Sequence, residues 1–159
     1  MKALTLAAAL LFSFAIAAAE APPIADIAGV RLGMSRDAVR SGLAPRASLE
    51  REERRRQEIW TLHDDPRFAS LIVGYTPEWD VRFVTAVAKA DGVAVRYADV
   101  VDLADARHRA AGQTHTYTWV TGKPAYSVIA IGGPSRLNYL SLERDAAAKE
   151  EESEEEDDD

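Results

Sequence analysis

The chain has 159 residues, 47% of them hydrophobic and 28% charged, with 26 acidic against 19 basic residues and no cysteine. Those figures fit one soluble domain. They exclude a disulfide-stapled miniprotein, a cysteine zinc site, a thiol enzyme and a lipoprotein tethered through an acylated cysteine.

At the N-terminus, Met1 and Lys2 precede an unbroken run of apolar or small residues over 3–19 that ends in Ala17-Ala18-Ala19 before Glu20. This reads as a secretory signal, residues 1–19, with an A-x-A cleavage site after Ala19 or Ala21. Its apolar centre, residues 4–16, is shorter than the roughly 20 residues a helix needs to cross a bilayer, and Pro22-Pro23 stops any continuation. The competing reading is a retained anchor helix. The expected location is periplasmic or secreted, in soluble form, with no transmembrane segment after cleavage.

The opposite end is equally biased. Residues 150–159 hold nine acids and one serine, leaving 17 acids against 19 bases in the rest of the chain. The acidity therefore sits in an appendage, residues 143–159, that repels itself, has no apolar surface to bury and is expected to be disordered. Such a tail can act as a solubilising brush, or contact basic proteins or divalent cations weakly. Nucleic acid is not an expected partner, because the phosphate backbone demands a basic footprint.

Residues 20–142 read as a single domain. Ser35 is placed as a helix N-cap, with Met34 and Val39 positioned for a hydrophobic staple and Val39 and Leu43 on one face. Gly42 and Pro45 end that helix after about two turns. Residues 48–58 combine both charge signs, including Arg54, Arg55 and Arg56, and read either as a solvated linker with i,i+4 pairs Glu50–Arg54 and Glu52–Arg56 or as an anion-binding patch.

The period then changes to two, and strands are predicted over 59–63, 68–76 and 81–89, separated by Asp64-Asp65-Pro66 and Thr76-Pro77-Glu78. A second helix is predicted over 99–111, with Asp99 as N-cap and Gly112 as its stop. Strands over 114–121, 125–132 and 136–142 follow. Helix and three strands, twice, predict an α+β fold: an antiparallel sheet with two helices on one face, the other face open, in tandem units 24–89 and 93–142.

Residues 29–39, Gly29-Val30-Arg31-Leu32-Gly33-Met34-Ser35-Arg36-Asp37-Ala38-Val39, resemble the "I-x-x-G-M-[ST]-x-x-x-V" helix start of the SmpA/OmlA family of small outer-membrane lipoproteins. A tryptophan-bearing strand around Trp60 follows in similar order. That family resembles one repeat of the β-lactamase-inhibitor-protein fold, whose tandem form presents a concave sheet to a protein partner. The resemblance implies a non-catalytic envelope domain that binds another protein through its sheet; no cofactor is expected. The chain lacks the lipidated cysteine of that family.

No G-x-S-x-G elbow, H-E-x-x-H motif or phosphate-cradling glycine loop is present. His63, Asp64 and Asp65 bring an imidazole beside two carboxylates and are the metal candidate, with His108 or His115 arriving from the other unit, for a small metal-dependent hydrolase. The alternating run 114–121 places His115, Tyr117 and Trp119 on one face and threonines on the other. Either the aromatics are core, or they form a recognition surface together with Trp79, since tyrosine and tryptophan dominate binding hot spots. The favoured reading is an exported, non-catalytic protein-binding or envelope accessory module contacting a partner through Trp79, Tyr117, Trp119 and His115.

Overall fold

The computed structural model describes residues 24–144 except 55, 101–102, 104–105 and 122–124. The signal over 1–19 lies outside them, as does the expected tail from 145 on, whereas Glu143 and Arg144, assigned to that tail from sequence, are strand residues. A tight turn opens the described chain: Ile27 and Val30 exchange N–H···O bonds at 3.0 Å around Ala28 and Gly29, both at positive φ. This buries Ile27 and Val30. Helix α1, Arg36–Leu43, then starts at Ser35, whose Oγ accepts from the Ala38 N–H at 3.4 Å, and it buries Val39 and Leu43.

Strands β1 (Ala47–Glu53), β2 (Gln57–Leu62), β3 (Phe68–Tyr75) and β4 (Val81–Ala88) form one meander, and β5 (Arg107–Ala111), β6 (Thr114–Thr121), β7 (Tyr126–Gly132) and β8 (Leu137–Arg144) form a second. Antiparallel pairing of β4 with β8 joins them into one eight-stranded sheet of order β1-β2-β3-β4-β8-β7-β6-β5. This overturns the α+β expectation of two helices on one face. Among the described residues α1 is the one α-helix, and the fold is mainly antiparallel β.

The second predicted helix fails for identifiable reasons. Asp99 does not cap a helix start; it ends a single 3-10 turn, Tyr97–Asp99, where its carboxylate accepts from the Arg96 backbone N–H at 3.1 Å and pairs with the Arg96 guanidinium at 2.7 Å. Gly112, at φ +60°, is not a helix stop but part of the two-residue hairpin turn that closes Ala111 onto Thr114. A glycine at positive φ serves both motifs, so the local signal is ambiguous. Pairing with β6 decides it, and residues 107–111 become a strand.

The charged run 48–58 is corrected likewise. It is a hairpin at the sheet margin rather than a helical turn, and β1 is exposed along its whole length after Ala47. The proposed i,i+4 pairs do not form in an extended strand, and Glu50 accepts instead from the Thr61 hydroxyl at 3.1 Å. Charged residues suit an edge strand, where they discourage pairing with another chain.

Alternation of side chains divides the sheet into two faces. On the covered face, cross-strand rows run Trp60, Leu71, Ala86, Leu140, Ala130 and Val73, Val84, Leu142, Val128, Trp119. All ten are buried. The same core takes in Val39 and Leu43 of α1, Ile27 and Val30 of the turn, Val95 and Tyr97, with Ile24, Val100 and Ala106 partly buried against it. Tyr97 donates its hydroxyl to the Gly133 carbonyl at 2.9 Å and Tyr126 to the Ile24 carbonyl at 2.9 Å, pinning the covering segments to the sheet.

Candidate functional site

The face opposite the core is formed by the alternate residues of the same strands. One row runs Ile59, Ile72, Thr85, Ser141, Ile129, Thr118, Arg107; the next runs Ser70, Val87, Tyr139, Ile131, Thr116, Arg109. Every one of these side chains is half-buried or exposed. In these two rows charge is confined to the margins, at Arg107 and Arg109 on β5 and at Arg51, which lies opposite Ile59 on β1. Between the margins lie isoleucine, valine, small hydroxyl residues and Tyr139, which is 44% exposed. Thr85 and Ser141 hydroxyls bond each other at 2.8 Å across the central β4–β8 pair, so their polar atoms are satisfied within the face.

A second cluster lies where α1 crosses the first meander. Glu58 projects from β2 onto the covered face and is 1% exposed. Its carboxylate accepts from Arg36 Nε at 2.7 Å, Arg40 Nε at 2.8 Å, Tyr75 Oη at 2.7 Å and Trp60 Nε1 at 3.1 Å. Glu52 sits directly opposite Glu58 in the β1–β2 register. Two facing carboxylates would repel. Arg36 bridges them, reaching Glu52 at 2.6 Å, and Arg40 also contacts both. Burial alone would push the Glu58 carboxyl up, but the hydrogen bonds from Arg36, Tyr75 and Arg40 outweigh it and hold the group below its usual range. Burial and the adjacent Glu58 carboxylate push the Tyr75 phenol well above its ordinary value.

Trp79 caps this cluster from outside. It is 39% exposed, adopts φ +68°, lies 5.9 Å from the Tyr75 ring and takes the Arg36 guanidinium over its own ring at 4.3 Å. Its carbonyl accepts from the Arg36 N–H at 2.9 Å, so the turn that exposes Trp79 also holds the first residue of α1. The strained backbone is thus maintained by the helix docked against it.

The other residues predicted to bind a partner separate by depth. Trp119 is 6% exposed and belongs to the core. Tyr117 and His115 lie on the same face of the same strand, where β5 pairs with it, and are half-buried. Tyr117 lies between Tyr97, tilted against it at 4.8 Å between ring centroids, and His108, stacked on it at 4.5 Å. Trp79 is therefore far from this group, on a different meander. Of the four residues, Trp79 is the exposed one.

The metal candidate is not assembled. His63 Nε2 bonds the Ser48 hydroxyl at 2.7 Å, and Asp65 Oδ1 accepts the backbone N–H groups of Arg67 and Phe68 at 2.8 and 2.9 Å, a turn-forming role. Among the described residues no group of three or more His, Cys, Asp or Glu is placed to hold a metal ion. The sequence reading left Arg36 and Arg40 without a role and missed Glu58. The available signal was a carboxylate inside the strand-like run Glu58-Ile59-Trp60, together with two arginines one helical turn apart.

No family model, curated protein or solved structure matches the chain. Among the described residues no helix is long and apolar enough to cross a membrane.

Proposed function

We propose that this domain is an exported, non-catalytic binding module that engages a protein partner across the open face of its sheet. One observation carries the reading: an eight-stranded sheet covered on one side presents on the other the half-buried or exposed side chains of Ile59, Ile72, Ile129, Ile131, Val87 and Tyr139, with charge in those rows only at the sheet margins, Arg51 on β1 and Arg107 and Arg109 on β5. Exposed contiguous apolar surface of this kind marks interaction sites. Seven inter-strand spacings of about 4.8 Å and strands five to eight residues long give roughly 500–900 Å², comparable with the ~800 Å² per partner of a standard interface. The fitting partner is a folded protein with a low-charge apolar patch and acidic groups opposite Arg107 and Arg109.

The apolar N-terminal run and the resemblance of residues 29–39 to the SmpA/OmlA family support an envelope location, where the acidic tail would serve as a solubilising extension. The test is quantitative capture from an envelope extract with the wild-type chain, with Ile129→Glu and with Ile72→Glu. The reading requires a protein that is enriched by the wild type and lost by both variants while their circular dichroism and melting temperature stay within those of the wild type. Recovery of the same proteins by all three chains would overturn it.

A further inference from the structure

We propose that His108 and His115 form a two-imidazole site for a divalent transition-metal ion at the β5 edge of the sheet, independent of what the open face binds. The pair is built by register. His108 lies opposite Tyr117 and His115 opposite Ala110, which makes the two histidines diagonal neighbours on adjacent strands and on one face. His108 Nε2 and His115 Nδ1 approach to 3.1 Å, and the ring planes differ by 25° with centroids 5.1 Å apart. At that centroid separation the rings meet nitrogen to nitrogen, and one donates a proton to the other.

The same spacing suits a shared metal. Two bonds of about 2.0–2.1 Å whose ends lie 3.1 Å apart subtend about 95–100° at the ion, between the square-planar and tetrahedral values. Binding needs the lone pairs of both facing nitrogens. The ring that now donates therefore shifts its proton to its other nitrogen, and both imidazoles stay neutral. The remaining coordination positions face solvent, since His108 is exposed, and water fills them.

The surroundings hold the donors in place. Tyr117 stacks on His108 at 4.5 Å and meets the Tyr97 ring at a 58° tilt and 4.8 Å, and buried Tyr97 is tied to the Gly133 carbonyl. The two-residue turn between Ala111 and Thr114 fixes the hairpin that carries both histidines. Imidazole donors select copper, nickel or zinc over calcium or magnesium, and the general order of affinities places Cu²⁺ first.

The test uses the full chain with excess Mg²⁺ present to occupy the tail carboxylates. Calorimetric titration with Cu²⁺ and with Zn²⁺ is expected to show one equivalent bound by the wild type and by His63→Ala. His108→Gln, at an exposed position, is expected to weaken binding by at least about tenfold, or 1.4 kcal/mol, with an unchanged melting temperature. The Cu²⁺ electron paramagnetic resonance spectrum of the wild type should carry the hyperfine pattern of two imidazole nitrogens. No saturable binding, or equal affinity in wild type and His108→Gln, would overturn the site.

Discussion

Glu58 illustrates how much a single buried charge can organise. Its four donors come from α1, β2 and β3, so one carboxylate ties a helix to two strands. Replacing it by glutamine keeps the volume but leaves Arg36 facing a neutral acceptor and Glu52 as the remaining counter-charge. Breaking a buried ion pair from one side costs about 3–5 kcal/mol; because Arg40 is 36% exposed and can turn to water, a loss near the lower bound, about 3 kcal/mol, is expected for Glu58→Gln in denaturant unfolding. The same group predicts an acid limb. Its folded value lies below the unfolded one, so the stabilisation is complete above the ordinary glutamate value of about 4.3 and is lost as pH falls below it toward the folded value. Stability measured between pH 6 and pH 2 should fall more steeply for the wild type than for Glu58→Gln.

At the level of elements, legibility followed locality. The α1 start could be read because Ser35, Val39 and Leu43 obey rules that span one or two turns, and β2, β3, β4, β6, β7 and β8 could be read because alternation and turn residues are local too. What decided β5 and β1 was their neighbours: β6 and β2 each need a partner strand, and tertiary pairing overrides a weak helical pattern. The Glu58 cluster was illegible for the same reason, since Arg36 and Glu58 are 22 positions apart. The hairpin of β7 and β8 offers a check on how tightly these elements fit. A Cβ on Gly132 would run into the Arg136 carbonyl oxygen and approach the Tyr97 hydroxyl to 2.8 Å. The first is backbone and cannot swing aside, so Gly132→Ala should lower stability by about 1–3 kcal/mol, measured as a shift in the denaturation midpoint with an unchanged slope.

The whole molecule is asymmetric in what it hides. Its covered face packs against a helix and irregular chain, while the alternate side chains on the opposite face are half-buried or exposed among the described residues. Placing glutamate at Ile129 or Ile72 should therefore cost less than 1 kcal/mol in stability while abolishing partner capture, whereas Leu142→Ala on the covered face, at a fully buried position, would be expected to cost about 2–5 kcal/mol. That contrast separates a surface kept for binding from one kept for folding.

The seam between the two meanders has a bearing on how the chain comes into being. β4 finds its second neighbour in β8, and the hydroxyls that meet there belong to residues 56 positions apart. While a ribosome is still delivering the intervening segment, the first meander is left with an unpaired row of amides and carbonyls along what will become the middle of the sheet, the kind of template on which strands of other molecules add. Closure must wait for β8, so the hazard for this protein lies in the interval before that strand arrives, and whatever escorts the nascent chain has the central strand β4 to shield.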